Sequence, residues 1–330
     1  LAFLWLGLVI ALKMSILESR KNYSYLRTIM SLLKPKFVTK FFDPSPRFAG
    51  GLILNALGYH ILRIAMFQLS FGLRKKRTLA DPRGKKILDE VLTEGISVIP
   101  NFFPQETFNK IRQEYESLDL PVVNERAPRI VRQNVIGDGI KTVAPVLEEH
   151  LAKNPLVNSI VAAAMRQDND VVPSVAIEKS QFSQEDLGSE STDKADNLHF
   201  DVSYPTVKCF MYLNNVDEKN AAFRFARRSQ RMTLARLWME YKMSVPFWLW
   251  SKEDRLHVTP EVKRSFVYSH GMTLDSINGN ANTLIIANTM GLHRRGDYST
   301  TTPREMIFVN YRGLATSNIV KKKIKRMLGR

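Results

Sequence analysis

NLHFDVSYPTVKCFMYLNNV, residues 197–216, is the stretch on which the reading of this chain turns. Its second half reads as a strand. In its first half His199 and Asp201 stand on either side of Phe200. Successive side chains on a strand point to opposite faces, so in an extended LHFDVS (198–203) these two project the same way, about 6–7 Å apart. An imidazole and a carboxylate on one face make half of a metal site. The remaining chain has to supply the other half.

Around this stretch the pattern is rich in strands. PSVAIEKSQF (173–182), VKCFMYLNNV (207–216), AAFRFARRS (221–229), NTLIIAN (282–288) and REMIFVNYR (304–312) are short apolar or alternating runs separated by turn residues. Upstream, LTEGISVIPNF (92–102) reads as a strand ending in a turn. Pro104 suits a first helical turn, and Phe108, Ile111, Tyr115 and Leu118 recur at helical spacing. A second helix is expected over about 146–165. Helices followed by many short strands predict a mainly β, α+β fold, a barrel or sandwich with helices on one side. No strand–helix alternation and no glycine-rich phosphate loop is present, which disfavours a nucleotide-binding fold.

Of the six histidines, His293 is the one placed to join His199 and Asp201: it ends the apolar run TLIIANTMGLH within the same β-rich region. Two histidines and one carboxylate that leave coordination positions open are the ligand set of non-haem iron(II) oxygenases. Arg304 opens the next strand, where a fixed guanidinium can grip a carboxylate through two parallel hydrogen bonds. A chance H-x-D triplet at strand ends is the plain alternative, and it leaves Arg304 unexplained. His257 and His270 lie in a variable segment, and His60 and His150 lie outside the β-rich region; none of the four is assigned a role.

With LHFD, GLHRRGDYSTTTPRE and the opening block GISVIPNFFPQETFNKIRQEYESL, the chain resembles the phytanoyl-CoA dioxygenase family of Fe(II)/2-oxoglutarate oxygenases over roughly residues 90–315. The resemblance implies a double-stranded β-helix (a jelly-roll, cupin-like core) with His199, Asp201 and His293 as iron ligands. It implies Fe(II) as cofactor and 2-oxoglutarate and O2 as co-substrates, with Arg304 on the distal carboxylate of 2-oxoglutarate. Lys208, in YPTVK, and Gln181 are weaker candidates for co-substrate contact. Asp201 favours hydroxylation, because related halogenases resemble this pattern with a small residue in place of the carboxylate. NAAFRFARRSQR (220–231) departs from the family, which has a glycine-rich segment there, and leaves substrate recognition open. A non-catalytic, membrane-associated scaffold and an oxygenase doing desaturation or cyclisation remain the alternatives.

Charge separates the ends from the middle. Residues 1–90 hold 16 Lys and Arg against 5 Asp and Glu, and residues 319–330 hold 6 basic residues and no acid, so the net +16 sits at the termini. Such ends suit an anionic membrane surface; with no aromatic-and-basic recognition module, nucleic acid is not expected as a partner. LAFLWLGLVIAL (1–12) is shorter than the roughly 20 residues that span a bilayer. The chain begins on Leu, as the remnant of a longer anchor or signal or an incomplete record would. GLILNALGYHILRIAMFQLSFGL (51–73), interrupted by Asn55, His60, Arg63 and Gln68, reads as an amphipathic helix lying on a surface; packing on the main domain is the alternative.

The expected organisation is therefore an apolar and basic extension over 1–88, a dioxygenase domain over 89–318 and a basic tail over 319–330. The substrate is expected to be a small molecule, lipid-like or acyl. Trp238, Trp248 and Trp250, in LWMEYKMSVPFWLW (237–250), read either as a lid for a greasy substrate or as aromatics packed on the sheet. The single cysteine, Cys209, rules out an intramolecular disulfide and suits a reducing, cytoplasmic compartment, with peripheral membrane association through the basic ends.

Overall fold

The computed structural model describes residue 48 and residues 51–125, 128–137, 139–167, 173–185, 187, 197–249 and 261–312. The basic tail, the first apolar run, His257 and Trp250 lie outside the described residues. Among the described residues, ten strands form two antiparallel sheets. The larger is ordered β1 (Ile96–Ile99), β8 (Thr283–Asn288), β5 (Thr206–Tyr212), β10 (Arg304–Arg312), β4 (Ser174–Gln181), β3 (Arg129–Ile136), β2 (Val122–Asn124). The smaller is β7 (Leu274–Ile277), β6 (Phe223–Ala226), β9 (His293–Arg295). These two facing antiparallel sheets are the double-stranded β-helix that the resemblance implied.

Alternation along the strands of the large sheet assigns its two faces. Val207, Cys209, Met211, Ile307, Val309, Val175, Ile177, Leu284 and Ile286 face the helices in one continuous core. That core is closed by Ile87, Leu88 and Val91 of helix α3 (Pro82–Thr93), Phe108, Ile111 and Tyr115 of α4 (Gln105–Ser117), and Val157, Ile160 and Val161 of α5 (Pro155–Met165). The opposite face carries Phe210, Tyr212 and Met306, which pack on Phe223, Phe225 and Ile277 of the small sheet. Tyr212 fastens the two sheets: its hydroxyl donates to Ile277 O at 2.9 Å and accepts from the Phe223 N–H at 3.1 Å. Between these facing sheets lies the space in which the site is built.

Several expectations need correcting. LHFDVS forms no ladder: only His199 makes an isolated bridge, although Leu198 and Phe200 are buried while His199 and Asp201 are not, so the alternation survives. The helix expected over 146–165 breaks before Pro155, which has no N–H to continue it; Asn154 caps α5 by accepting from the Val157 N–H. The boundary near residue 88 falls inside α3, which starts at the Asp81 cap and belongs to the main core.

The apolar stretch 51–73 is not a single helix, and it packs on the main domain. Gly58, at φ +86°, separates α1 (Leu52–Ala56) from α2 (Tyr59–Gly72). The interrupting residues turn inward: Asn55 donates to Ser244 O, and the His60 ring meets the Glu240 carboxylate at 3.1 Å. Glu240 and Ser244 lie on α6 (Leu234–Ser244).

Candidate metal centre

His199 and His293 come from distant segments and meet through their backbones. Each N–H donates to the other's carbonyl, at 2.9 and 2.8 Å, which sets the two rings 4.5 Å apart between centroids. Asp201 is anchored two residues on, where its N–H donates to Thr289 O at 3.0 Å. One donor atom from each of His199, Asp201 and His293 lies within 4.8 Å of the others.

The tautomers are fixed by carbonyl oxygens, which only accept. His199 Nδ1 lies 2.6 Å from Asn197 O, and His293 Nδ1 lies 2.9 Å from Gly291 O. Each Nδ1 therefore carries the proton and Nε2 is the lone-pair nitrogen of each ring, and a backbone partner of this kind is what orients metal-bound imidazoles. Burial, followed by the His199 ring, pulls His293 down to about 3, so it is neutral and able to ligate at ordinary pH. Burial opposes ionisation of Asp201, yet the Lys208 ammonium and the two imidazoles hold its carboxyl far below the usual carboxylate range. Asp201 Oδ2 pairs with Lys208 Nζ at 2.8 Å, while Oδ1 points toward His293 Nε2, 3.9 Å away. Two imidazoles with Nδ1 tied to backbone carbonyls and one carboxylate suit a hard-to-borderline divalent ion such as Fe(II).

A cavity of about 250 Å³ joins this cluster to a second one. Its walls carry Glu178 of β4, which is fully buried and ringed by three guanidinium groups. Arg132 of β3 donates to Glu178 Oε2 at 2.8 Å through Nε and again through Nη2, Arg304 Nη2 donates to Oε1 at 3.1 Å, and Arg295 Nη2 stands 3.7 Å from Oε1. Burial penalises the Glu178 charge, but the guanidinium groups of Arg295, Arg132 and Arg304 outweigh it and bring the carboxyl down to about 2. The register explains the meeting: Arg132, Glu178 and Met306 are consecutive cross-strand partners on one row of the large sheet, so all three project from the same face. Phe210, Phe223 and Phe308 supply the apolar part of the wall.

Of the residues singled out from sequence, His199, Asp201 and His293 meet, and Lys208 and Arg304 line the same cavity. Arg304 also donates to Ala221 O at 2.6 Å, so its guanidinium is held before any ligand arrives. Gln181 stands apart from the cavity, with its amide oxygen bonded by Arg129. Glu178, Arg132 and Arg295 were not singled out. The signal for Glu178 was present, a lone acid directly after the apolar Val175, Ala176 and Ile177 of β4, SVAIEKSQ. His60, assigned no role, is buried against Glu240, and His270 caps a short exposed helix through Phe266 O.

The phytanoyl-CoA dioxygenase family model matches residues 92–263, a range that ends before His293 and Arg304. No curated protein matches the chain. Among solved structures, the α-ketoglutarate-dependent epimerase SnoN from nogalamycin biosynthesis is similar at 12% identity and TM-score 0.47, covering 71% of this chain and 84% of its own. EctD from S. alaskensis with bound Fe is similar at 13% identity and TM-score 0.46, over 73% of this chain and 81% of its own. HygX from Streptomyces hygroscopicus, with nickel, 2-oxoglutarate and hygromycin B bound, is similar at 17% identity and TM-score 0.41, over 69% and 87%.

Proposed function

The chain belongs to the phytanoyl-CoA dioxygenase family, whose members are Fe(II)- and 2-oxoglutarate-dependent enzymes, and on that premise we propose that it hydroxylates a C–H bond of an organic small molecule, lipid-like or acyl. His199, Asp201 and His293 are the proposed iron ligands. One observation carries the reading: both Nδ1 protons are directed to backbone carbonyls, and one donor atom from each of the two rings and of Asp201 lies within 4.8 Å of the others.

When bound, Fe(II) supplies, with O2, the oxidising chemistry that converts 2-oxoglutarate to succinate and CO2 while oxygen enters the substrate. The chain's own residues have narrower tasks. His199 and His293 would each offer an imidazole nitrogen to the ion, and the Asp201 carboxylate, paired through Oδ2 with Lys208, would offset its charge. Arg304, with Arg132 and Arg295 beside it, makes the far end of the cavity cationic beyond what Glu178 neutralises, which suits the distal carboxylate of 2-oxoglutarate. Phe210, Phe223 and Phe308 keep the wall between these poles apolar and exclude water. The same aromatic wall supports an apolar substrate.

The test is anaerobic titration of the purified protein with Fe(II) and 2-oxoglutarate, followed by the visible charge-transfer absorption of the chelate. The band is expected in the native protein, absent in His293→Ala, and shifted to higher 2-oxoglutarate in Arg304→Ala. A folded, iron-supplied protein with no band sinks the reading.

A further inference from the structure

Helices α1 and α2 are built inside out. Asn55, His60, Arg63 and Ser70 face the protein and are fully buried, whereas Ile53, Leu57, Leu69 and Leu73 face outward and are 64%, 63%, 62% and 54% exposed. Leu52, Ala56, Ala65 and Gly72 complete the outward face. Arg63 is the only charged residue between 51 and 73, and it points inward. A helix on a water-facing surface carries its polar side outward, the reverse of this one. The inversion is pinned by specific bonds: Asn55 to Ser244 O, His60 to Glu240, Gln68 to Ser203 O and the Tyr241 hydroxyl to Ala56 O.

Two neighbouring features say what covers the face. The Tyr241 bond sets α6 beside α1, and Trp238, exposed on α6, stacks on the Tyr241 ring with centroids 5.3 Å apart. At the other end, Leu73 is followed at once by Arg74, Lys75, Lys76 and Arg77, of which Lys75 and Lys76 are exposed. An apolar stripe, an indole at its edge and a basic cluster at its end match, in order, the acyl region, the interface and the headgroups of an anionic bilayer. A second copy fits less well, because a two-fold contact through this patch would add another basic cluster to a chain already at net +16. No helix among the described residues is long and apolar enough to cross a membrane, so this contact lies along a bilayer rather than through it.

We propose that the outward face of α1 and α2, with Trp238 and residues 74–77, docks the protein peripherally on an anionic lipid bilayer. The inference is independent of the reaction proposed above. It has a geometric consequence for it: Gln68 and His60 tie α2 to Ser203 and Glu240, close behind Asp201, so docking fixes the height of the metal cavity above the lipid.

The test is flotation of the full chain with vesicles of phosphatidylcholine alone and of phosphatidylcholine mixed with phosphatidylserine. The native protein is expected to float with the mixed vesicles, less so as salt rises. Ile53→Ser/Leu57→Ser/Leu69→Ser/Leu73→Ser is expected to weaken partitioning by about a hundredfold, since four aliphatic side chains no longer enter the interface. Lys75→Glu/Lys76→Glu is expected to remove the preference for phosphatidylserine, and tests the same surface without touching the apolar face. Quenching of tryptophan fluorescence by brominated lipid, reduced in Trp238→Phe, gives a third readout. No flotation, or flotation unchanged in the fourfold variant, overturns the proposal. So does a native dimer that the fourfold variant converts to a monomer without vesicle binding, which assigns the face to a second copy. The charge-transfer band of the iron complex, measured on the same variants, is expected to persist and separates failure here from failure of the oxygenase reading.

Discussion

His199 and His293 meet across a one-residue antiparallel bridge, each donating its backbone N–H to the other's carbonyl, and that bridge rather than sequence proximity brings the proposed iron ligands of two segments together. Because the backbone sets the distance, removing one ring should empty the ligand set without disturbing its neighbour. His199→Ala is expected to weaken Fe(II) binding by more than about a hundredfold, beyond the loss typical of an outer-shell change. Its thermal unfolding should shift little, as His199 is partly exposed; His293→Ala, at a buried position, should shift it more. Isothermal titration with Mn(II) as an air-stable surrogate, beside a melting curve, checks both. Unchanged metal affinity in both variants would remove these residues from the site.

The cavity's cationic end rests on Glu178. Its carboxylate holds Arg132 and Arg304 in place, and without it their charges would face one another across a buried space. Glu178→Gln is expected to cost about 3–5 kcal/mol of stability, the usual consequence of removing one partner from a buried ionic cluster. The fall in Tm should be largest without ligand and shrink with added 2-oxoglutarate, whose carboxylate replaces the missing charge. A variant whose Tm matches the native protein's would show the cluster to be slack.

The Gly291 carbonyl accepts a hydrogen bond from His293 Nδ1, and Gly291 sits against the Phe225 ring, where an added Cβ would fall 2.6 Å from Cζ. Gly291→Ala should therefore push β9 away from β6 or force Phe225 aside, at a cost of about 1–3 kcal/mol. Metal affinity should fall with stability, because the strand that moves carries His293. Gly271→Ala, with open space around it though at φ +65°, offers a control for backbone strain alone. Equal metal affinity in the native protein and Gly291→Ala would separate the ring's position from the strand's packing.

Much of this was legible in the sequence where local pattern and chemistry agree. β4, β8 and β10 follow apolar runs quoted directly from the chain, and α4 follows Phe108, Ile111 and Tyr115. The meeting of His199, Asp201 and His293 was legible because few residue types can bind iron. The strand pair β2–β3 was not, since ERAPRIVRQNVI mixes charges into the run: Arg132 points into the cavity, and only a fold places Glu178 opposite it. Which face of α2 packs on the main domain was not legible, for a related reason. Periodicity reports that a helix has two unlike faces, but which face is covered depends on partners such as Glu240 and Ser244, far along the chain.

Those partners also determine how the protein responds to acid. Glu240 is buried; burial penalises its charge, but Arg236, His60 and Ser203 outweigh that and bring it down to about 2. A carboxyl whose folded pKa is depressed contributes stability that is complete above its unfolded value near 4.5 and is lost as pH falls toward 2. His60 acts in the same direction over a higher range. Burial lowers its pKa, so the unfolded chain takes up the proton first as pH drops below about 6.5, and stability declines with it. Melting curves from pH 7 to pH 3 should therefore show Tm falling in the native protein, with the Arg236–Glu240–His60 cluster responsible for much of the slope. Glu240→Gln should begin lower, because Arg236 loses its 2.8 Å partner in a buried setting, and then fall less steeply with acid. If both proteins lose Tm in parallel over that range, the acid response originates elsewhere and α2 is held by packing rather than by charge.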